Sequence, residues 1–559
     1  MSHYKPGMAD VERVKAQKDC LDIWDDIPRF AKGGFASISA DDVIRLRWYG
    51  IYQQKPNDGQ FMWRIKLPGG RVTPMQLREI GKIANEYGRG LGDITTRQDI
   101  QLHWMTIDQF PDAFDRIYTK CGLYTDFACG DTPRNICSCP LDDLLPEQLC
   151  KTGNMVQKLS DQFRAGGKEF SNLPRKFKAS VAACPLHCHQ PQINDIGVFG
   201  VTREKDGVQQ PGVGIVVGGG LSSTPHIAQG LRVFVAEENV AEQLPRIVRE
   251  LAHIFCDSEE CRYKRKHARF KFVVAEKGWQ WVRDELERRL GFALDHDETI
   301  VNPQGALHTD HMGVGKLNNG LYYVGIPLAR GRWNGDQMIA VGELAERYAA
   351  PGQGQIRLSQ KQNFLLVNIP KENIDALCGE LAKIGLPANA PKWRDSLVSC
   401  TGTQFCNLAV VETKQRALEL LEHLENELPN IDTPIMLSMT GCPNSCAQVQ
   451  IADIGLTGTK ATYEGQKMDA FDLMVGGGLG ADPKFAQTIV QKIPTVLVQK
   501  VIVQLTRSYL EHRIQLEHGQ YEPFRGFVAR HNAAQLASFA AIDGWTAPVK
   551  KARADEAAD

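Results

Sequence analysis

Two pairs of cysteines near the C-terminal end of the chain form the pattern with the clearest chemistry. Cys400 and Cys406 stand in CTGTQFC, and Cys442 and Cys446 stand in GCPNSC, with thirty-five residues between the pairs. Four thiolates on two short loops can hold a cubane iron–sulfur cluster. Zinc sites usually space their paired ligands about two to four residues apart, which fits less well. Four buried core cysteines are the alternative, but paired spacing of this kind is rarely accidental.

The chain also repeats itself, and the repeat passes through one of these cysteine pairs. ACPLHCHQPQINDIG, from Ala183, and GCPNSCAQVQIADIG, from Gly441, share nine residues in register at a separation of 258 residues. VGGGLSSTP and VGGGLGADP have the same separation, and ITTRQDIQL loosely resembles RLSQKQNFLL. Three echoes in the same order indicate duplication, and the period is far too long for a solenoid. We therefore expect two homologous halves related by a pseudo-twofold axis, with a shared site between them.

Secondary-structure signals repeat in the same order. FMWRIKLPGG is typical of a strand and turn, TPMQLREIGKIANEYGRG of a capped helix, and DITTRQDIQLHWM of a strand. GLYYVGIPL, GDQMIAVGELAERYAA and QIRLSQKQNFLLVNI repeat this order in the second half. The predicted fold class is α+β with α/β segments, in which each half is a small β-α-β unit followed by a larger α/β domain.

Size and composition limit the classes of function. A chain of 559 residues has room for about three or four domains. Its net charge of −1 does not indicate binding to nucleic acid or to an anionic membrane. No apolar run approaches a membrane span, and the N-terminal sequence lacks the apolar core of a signal peptide. Fifteen cysteines, an odd number, favour a reducing compartment and cofactor binding over disulfides. We expect a cytoplasmic protein without nucleic-acid or membrane partners.

Basic residues gather in short motifs of the first half. Lys176 and Lys178 of PRKFK alternate by two, so in a strand they point the same way, which is costly unless an anion lies between them. The alternative is a solvated basic face, since exposed charge is the default for these residues. The other members are Arg45 and Arg47 in RLRWYG, Arg64 in MWRIK, Arg97 in TTRQ and Arg134 in ACGDTPRN.

A histidine-containing stretch separates the two halves. PQGALHTDHMGVGK, around residues 303–316, has the composition of a linker. Its two histidines, His308 and His311, offer an alternative interpretation as a metal site, although two loop histidines are more often surface residues.

Taken together, these motifs strongly resemble those of the sirohaem-dependent sulfite and nitrite reductases. The resemblance covers about residues 40–535 and includes TTRQ, PRKFK, NNGLYYVGIP, the two cysteine pairs and both VGGGL segments. It implies a six-electron reduction, of sulfite to sulfide or of nitrite to ammonia, at a sirohaem joined through one cysteine to a [4Fe–4S] cluster. A non-catalytic iron–sulfur protein on the same fold is the alternative from a different class.

The resemblance also assigns residues. It implies that Cys400, Cys406, Cys442 and Cys446 bind the cluster and that Cys446 bridges to the haem iron. It places Arg97, Arg134, Lys176 and Lys178 around the substrate. The predicted cofactor-binding residues are Arg45, Arg47, Arg64, Gln98, Gln101, His103, Asn444 and Cys446. Sirohaem carries eight carboxylates and the substrates are oxyanions, so both need cations.

The preferred oxyanion depends on a single position. In the family that the chain resembles, sulfite-reducing members tend to carry lysine at the second lysine of PRKFK, and many nitrite reductases carry asparagine. Lys178 stands there, and a second cation suits the more highly charged sulfite. We expect sulfite as the preferred substrate, with nitrite as the alternative at the same site.

Two features depart from the family pattern or go beyond it. Cys184 and Cys188 form a further C-x3-C pair in the first half, with Cys129, Cys137 and Cys139 upstream. A second iron–sulfur centre is one hypothesis, and cysteines left over from the duplication are the other. Tyr52 and Cys129 fall where some family members carry a tyrosine–cysteine thioether, with an ordinary tyrosine and a free thiol as the alternative.

The electron donor is expected to be a separate protein. The chain has no GxGxxG dinucleotide motif and no recognisable flavin domain. Resemblance favours ferredoxin, and a separate flavoprotein is the alternative. The basic stripe CRYKRKHARFK, Cys261 to Lys271, could dock an acidic donor or face the sirohaem carboxylates.

Domain boundaries follow from the repeat and the resemblance. We expect a lead-in at 1–40, a first ferredoxin-like half-domain at 41–118, a first sirohaem- and substrate-binding domain at 119–300, a linker at 301–316, a second ferredoxin-like half-domain at 317–388, a domain at 389–540 that binds the [4Fe–4S] cluster and the sirohaem, and a flexible tail at 541–559. The cofactors are expected between the halves.

Overall fold

The structure is a computed structural model, and it describes residues 4–305 and 310–545. It contains two compact units. Unit 1 comprises residues up to Ala390 together with Leu479–Asp482, and unit 2 comprises the rest of the chain from Pro391. His308 of the predicted metal site and most of the predicted tail lie outside the described residues.

Unit 1 begins with three short helices and a small mixed segment, followed by a larger α/β segment. The first segment contains α1 (Asp10–Gln17), α2 (Ile27–Gly33), α3 (Ala40–Arg45), β1 (Ile51–Gln53), β2 (Gln60–Ile65), β3 (Arg71–Val72), α4 (Pro74–Tyr87), β4 (Leu91–Ile94), β5 (Ile100–Thr106) and α5 (Phe110–Asp115). The larger segment contains α6 (Met155–Gly166), β6 (Ala179–Ala182), β7 (Ile196–Lys205), β8 (Val208–Val217), β9 (Gln229–Gly230), β10 (Val233–Ala236), α7 (Glu237–Cys256), α8 (Phe270–Leu290) and β11 (Asp295–His296).

A second small mixed segment completes unit 1 and exchanges strands with the first. It contains β12 (Gly313–Lys316), β13 (Tyr322–Ile326), β14 (Arg332–Asn334), α9 (Gly335–Tyr348), β15 (Gln355–Leu358), β16 (Phe364–Ile369) and α10 (Ile374–Lys383). The sheet orders are β1-β2-β5-β4-β14 and β12-β13-β16-β15-β3. Each sheet therefore takes its last strand from the other segment, as a pseudo-twofold pair would.

Helices α4 and α9 are equivalent elements that pack directly on each other. Each begins with a capping box, on Thr73 and on Asn334, so both helix starts are fixed by their local sequence. Their close approach depends on glycine, because a Cβ on Gly81 would lie 2.7 Å from the carbonyl oxygen of Gly335. The two segments consequently share one buried core rather than two separate ones.

Two predicted strands are hairpins instead. DITTRQDIQLHWM forms β4, a tight turn and β5, and QIRLSQKQNFLLVNI forms β15, a turn and β16. Side chains alternate in the same way along one long strand and along two paired strands. The alternation in the sequence therefore did not show where the turn divides each segment. Gln98 and Gln362 stand at the same turn position with φ of 60° and 67°, the left-handed region in which few non-glycine residues occur.

These two glutamines brace the pseudo-twofold pair reciprocally. Gln98 donates through Nε2 to the carbonyl of Leu358 at 2.7 Å, and Gln362 donates to the carbonyl of Ile94 at 2.9 Å. Ile94 and Leu358 end equivalent strands. Gln98 also donates to the carbonyl of Ser138 and accepts from its backbone N–H. Its buried amide thus braces the protein, and its predicted contact with a cofactor stays a prediction.

The larger segment of unit 1 contains a six-stranded sheet of order β11-β10-β8-β7-β6, with β9 paired to β8. Strands β6 and β7 run parallel, whereas β7 and β8 form a long antiparallel hairpin. Apolar residues of α6, α7 and α8 pack on this sheet, because the buried residues of each helix lie on one apolar face.

Unit 2 repeats the central strands of that sheet. It contains α11 (Lys392–Asp395), β17 (Leu397–Ser399), α12 (Lys414–Glu427), β18 (Leu437–Thr440), β19 (Ile454–Tyr463), β20 (Gln466–Val475), β21 (Gln487–Pro494), α13 (Val498–His512), α14 (Phe524–Ala529) and α15 (Ala533–Phe539). The bounds of β18, β19 and β20 are those of β6, β7 and β8 shifted by 258 residues. The predicted duplication is therefore confirmed strand by strand. No described helix combines the length and the apolar character that crossing a membrane requires.

Candidate active site

The cysteine quartet lies on two loops of unit 2 that follow neighbouring parallel strands. Ser399 at the end of β17 pairs with Met439 of β18, so Cys400 and Cys442 emerge side by side at one sheet edge. The backbone N–H of Gly441 donates to Cys400 Sγ at 3.1 Å, which joins the two loops. The N–H of Leu408 donates to Cys406 Sγ at 3.4 Å. Such N–H···S bonds stabilise thiolates and are a feature of iron–sulfur sites.

The first loop turns sharply at Gly402, whose φ is 66° and whose Cβ would meet the Thr413 nitrogen at 2.6 Å. Thr413 in turn donates its hydroxyl to the carbonyl of Cys400 at 2.6 Å. The loop is thereby fixed from both sides, which holds Cys400 and Cys406 in place without a bound group.

The four thiols differ in exposure. Cys442 is buried, Cys400 and Cys406 are half-buried, and Cys446 is exposed. Burial raises the pKa of Cys442, while contacts with Asn444 oppose the rise. Asn444, predicted as a cofactor residue, therefore lies against a cluster cysteine. The exposed thiol is the one predicted to bridge to the haem iron.

A second set of candidate residues, all cationic, lies in unit 1. Arg64 and Arg134 both donate to the carbonyl oxygen of Ala128, at 3.2 and 3.0 Å. Arg97 donates to Asn194 Oδ1 at 2.9 Å and to the carbonyl of Asn135 at 2.6 Å. These bonds turn three guanidinium groups, predicted from separate motifs, toward one region of the unit. We call Arg64, Arg97 and Arg134 the arginine cluster.

The arginine cluster contains buried donors that the protein does not satisfy. The Nε atoms of Arg97 and Arg134 are buried and have no hydrogen-bond partner among the residues that the structure describes. Burial, together with the nearby Arg64 and Arg97, lowers the pKa of Arg134 to about 10, so it stays charged at neutral pH. Unpaired buried cations are costly, and an anionic group bound beside them would remove that cost. The arrangement fits an oxyanion or a carboxylate.

Lys176 and Lys178 flank a buried phenylalanine just before β6. Phe177 is buried while both lysines are half-buried, which is the alternation expected of an extended segment. The backbone N–H of Lys178 donates to Asp195 Oδ2 at 2.8 Å, and Arg269 binds both oxygens of that carboxylate. Lys178 and Arg97 both act electrostatically on Cys137, so PRKFK lies near the arginine cluster.

Sequence reasoning did not single out Arg175, although it belongs to PRKFK. Burial, followed by the charges of Arg265, Arg269 and Arg134, lowers its pKa to about 10. Its own side chain donates to the carbonyl of Arg265 at 2.7 Å. The three basic residues of PRKFK and the downstream basic stripe could have indicated that the cationic region includes Arg175.

The basic stripe Cys261–Lys271 is largely committed to contacts within the protein. Arg262 pairs with Glu12, Arg265 binds Asp131 through two bonds of 2.7 and 2.6 Å, and Arg269 binds Asp195. Burial, followed by the charge of Arg269, lowers the pKa of Lys271 to about 8. Lys264 and Lys266 remain on the surface. The stripe is therefore not one continuous docking face.

Three predicted cofactor residues occupy other places in the fold. Arg45 ends α3, where it binds Asp42 at 2.8 Å and the carbonyl of Val14 at 3.0 Å. His103 is buried between Gln54 and Asp93. Gln101 lies in β5 with its amide against the sulfur of Met62. These contacts brace the protein, and the predicted cofactor-binding roles of Arg45, Gln101 and His103 stay predictions.

The remaining predicted residues lie at the first ferredoxin-like segment. The guanidinium of Arg47 stacks over the ring of Tyr52 at 4.7 Å, a cation–π contact. Tyr52 is half-buried in β1, and Cys129 is buried in the loop whose carbonyls bind Arg134. The thioether between Tyr52 and Cys129 stays a prediction.

A buried carboxylate accompanies the arginine cluster. Burial raises the pKa of Asp99 to about 6, although Arg64, Arg97 and Lys66 act in the opposite direction. Because the pKa of the folded state lies above that of the unfolded state, the folded chain binds the additional proton. The carboxylate therefore costs stability progressively as pH rises from about 4 to 7, and the cost is absent at lower pH.

Replacing Asp99 by asparagine should remove this pH dependence. Asn363 occupies the equivalent turn position of the second hairpin, so the fold accepts the amide there. Between pH 5 and 7.5 we expect wild type to lose about 1–1.5 kcal/mol of unfolding free energy relative to Asp99→Asn. Urea denaturation at both pH values measures the difference, with the exposed Asp58→Asn as control. Parallel pH profiles for Asp99→Asn and wild type would contradict the assignment.

Comparison with known proteins identifies the family. A model described as the nitrite and sulphite reductase 4Fe-4S domain matches residues 129–294 and 394–529, and a nitrite/sulfite reductase ferredoxin-like half-domain model matches 52–118 and 315–384. The chain belongs to the nitrite and sulfite reductase family. It is an oxidoreductase with repeated ferredoxin-like half-domains, which decides against a non-catalytic iron–sulfur protein.

Two relatives and one solved structure show how far the likeness extends. The chain is 35% identical to the assimilatory ferredoxin-dependent nitrite reductase of Haloferax mediterranei, with 88% of this chain and 87% of that protein covered. It is 32% identical to the sulfite reductase [ferredoxin] of Mycobacterium tuberculosis, with 92% and 94% covered. The structure of the M. tuberculosis NirA protein matches with a TM-score of 0.86 at 32% identity, covering 95% of this chain and 97% of that one.

The cofactors of the family are a sirohaem and a [4Fe–4S] cluster, and the residues present fit both. Four thiols on two loops with N–H donors to sulfur suit the cluster. Within the described part of the chain, the sulfur atoms of these four cysteines do not form a group close enough to bind a single ion. Their wider separation suits a larger group such as a cluster. The buried unpaired Nε atoms of Arg97 and Arg134 suit an anion.

Proposed function

We propose that this reductase converts sulfite to sulfide with electrons from ferredoxin, and that nitrite is a second substrate at the same site. The observation that carries the proposal is the arginine cluster with Lys176 and Lys178 beside it. Arg97 and Arg134, each with a buried Nε that has no hydrogen-bond partner among the described residues, form a region suited to a small oxyanion. When bound, the sirohaem and the cluster supply the electron-transfer chemistry.

The residues of this chain have three tasks in that reaction. Arg97 and Arg134 hold negative charge through guanidinium forks that the protein has already oriented, so little reorganisation is needed when the anion binds. Lys176 and Lys178 are proposed to deliver protons, since each turnover consumes several of them. Cys400, Cys406, Cys442 and Cys446 are proposed to bind the cluster, with Cys446 also bound to the haem iron.

Charge supports sulfite as the preferred substrate. Sulfite is the more highly charged anion near neutral pH, and it gains more than nitrite from an additional ammonium group at position 178. The relatives include enzymes named for each anion, so both substrates need to be measured. Ferredoxin as donor rests on the names of those relatives, and a separate flavoprotein is the alternative.

Steady-state reduction with reduced methyl viologen tests the substrate. We expect the ratio of kcat/KM for sulfite over nitrite to exceed one in wild type and to fall about tenfold in Lys178→Asn, because a lost contact with a doubly charged anion costs about 1.4 kcal/mol more. Lys205→Asn, on the exposed hairpin between β7 and β8, serves as control. A ratio unchanged by Lys178→Asn would remove position 178 as the selecting residue.

The donor requires its own measurement. Replacing methyl viologen by photoreduced ferredoxin should sustain turnover, and NADPH with a flavoprotein reductase should not. Turnover with the flavoprotein alone would favour the alternative donor.

A further inference from the structure

The first half contains a cluster of metal-ligating side chains that the proposed reaction does not use. Cys139 Sγ, Cys188 Sγ and a ring nitrogen of His311 all lie within 4.8 Å of one another. Cys139 Sγ and His311 Nε2 are 3.4 Å apart. Cys184 packs in the same cluster as Cys139 and Cys188 and interacts with both thiols. Three thiols and one imidazole from three separate chain segments therefore converge inside unit 1.

The duplication explains where the three cysteines come from. Cys137 pairs with Ser180 in a parallel bridge, and Val398 pairs with Ser438, which lies 258 residues after Ser180. Cys137 and Val398 are therefore equivalent positions. Cys139 lies two residues after Cys137, and Cys400 lies two residues after Val398, so Cys139 is the counterpart of Cys400. The repeat makes Cys184 the counterpart of Cys442, and Cys188 that of Cys446. Three of the four cluster-ligand positions are thus still cysteine in the first half.

The fourth position has changed. Counting six residues on from Cys139, as from Cys400 to Cys406, reaches Leu145, which packs as an apolar residue beside the thiols. His311 arrives instead from just before β12 and approaches Cys139. Its place is held by Asp310, whose carboxylate accepts the backbone N–H of His311 at 3.0 Å and a bond from Asn363 at 3.2 Å. A new donor thus reaches the group although the fourth cysteine is missing.

The spacing of these donors fits one ion better than a cubane. A zinc ion bound tetrahedrally, at about 2.3 Å to sulfur and about 2.0–2.1 Å to nitrogen, holds such a pair about 3.5 Å apart. The observed distance between Cys139 Sγ and His311 Nε2 is 3.4 Å. The ligands of a cubane each bind a different iron, so their sulfurs must lie further apart. Among the described residues, the donor atoms of Cys139, Cys188 and His311 all lie within 4.8 Å of one another, and those of the quartet in unit 2 do not.

We infer that Cys139, Cys184, Cys188 and His311 bind one tetrahedral divalent ion of the zinc type, as a structural site separate from the [4Fe–4S] cluster. Three thiolates, one neutral imidazole and no open position form a Cys₃His donor set of the closed, structural kind. The site would join the loop after Cys137, the loop after β6 and the segment that leads into β12. Linking distant segments in this way stabilises the folded state.

The surroundings of the site suit a closed metal centre. Apolar residues enclose it, and the described ones are Leu141, Leu145, Ala182, Leu317, Leu365 and Val367. The backbone N–H of Leu141 donates to Cys139 Sγ at 3.4 Å, an outer bond of the kind that orients metal ligands. A divalent ion with three thiolates carries one net negative charge. Buried Arg357, which donates to the carbonyl of Pro140 at 3.4 Å, lies beside Cys139 and opposes that charge.

Metal analysis of the purified holoenzyme tests the site. We expect about one zinc per chain, in addition to the iron of one sirohaem and one [4Fe–4S] cluster. Cys139→Ser and His311→Ala should each reduce the zinc content to below about 0.1 per chain while leaving the haem and cluster absorption unchanged. Cys137→Ser is the matched control, because it removes a buried thiol two residues away that does not belong to the group.

A spectroscopic measurement on the wild-type enzyme keeps the inference testable if a variant fails to fold. Zinc-edge X-ray absorption should show sulfur neighbours at about 2.3 Å and one nitrogen neighbour. Zinc that persists in Cys139→Ser would be adventitious and would overturn the assignment. Wild-type enzyme that neither contains zinc nor takes it up would also overturn it. Iron and sulfide contents sufficient for two cubanes would overturn the single-ion site in favour of a second cluster. If the enzyme still reduces sulfite in any of these outcomes, the proposed function is unaffected.

Discussion

Cys442→Ser is expected to abolish six-electron reduction. Cys442 is the buried member of the quartet, and it lies beside Cys400 at the edge where β17 and β18 end. A serine hydroxyl is a poor ligand for an iron–sulfur cluster, so we expect the cluster to be lost or severely depleted. The rate with reduced methyl viologen should fall at least about 100-fold, for sulfite and nitrite alike, because electron supply is common to both.

Iron and acid-labile sulfide analysis, beside the rate, measures this effect. Cys378→Ser is the matched control, since Cys378 is a half-buried free thiol on α10 and does not belong to the quartet. The control should retain wild-type iron, sulfide and rate. Full sulfide content in Cys442→Ser would mean that this cysteine is not a cluster ligand.

Much of the fold follows from the repeat alone. The nine shared residues around Cys184 and Cys442 established the period of 258 residues, and β18, β19 and β20 follow β6, β7 and β8 at that period to the residue. Residues such as Gln190 and Gln448 recur because both adopt left-handed backbone at the same loop position, with φ of 54° and 61°. Local constraints of this kind remain visible in the sequence after other similarity is lost.

The strand exchange in unit 1 was not predictable in the same way. Strands β3 and β14 each have only two or three residues, too few for a periodic signal, and each pairs across the duplication. The hairpins at Gln98 and Gln362 were missed for a related reason, because their turns lack the glycine that usually marks one.

Sequence motifs located the cations but did not separate their roles. Arg45 and Arg47 stand two residues apart, yet Arg45 binds Asp42 and the carbonyl of Val14, whereas Arg47 stacks on Tyr52. The difference depends on the position of α1, which no local pattern around Arg45 reveals. The counterpart of Cys400 in the first half was hidden similarly, since spacing alone could not choose between Cys137 and Cys139, while the parallel strand register does.

Arg134→Gln is expected to lower kcat/KM for sulfite by about 100- to 1000-fold, the range seen when one oriented donor to a developing anion is removed. Burial lowers the pKa of Arg134 to about 10, and its guanidinium is held by the carbonyls of Ala128 at 3.0 Å and Gly130 at 2.8 Å. Its Nε has no hydrogen-bond partner among the described residues, which is the position that we propose for the anion.

A conservative variant and a matched arginine distinguish this role from a structural one. Arg134→Lys keeps the charge and should recover about tenfold of the loss, mainly through KM, because a point charge still attracts the anion without the guanidinium fork. Arg45→Gln removes an arginine that stabilises the contact between α3 and α1, so it should lower thermal stability and leave kcat/KM near the wild-type value. If Arg134→Gln and Arg45→Gln lose the same fraction of activity while the haem absorption is intact, the arginine cluster does not bind the reacting anion.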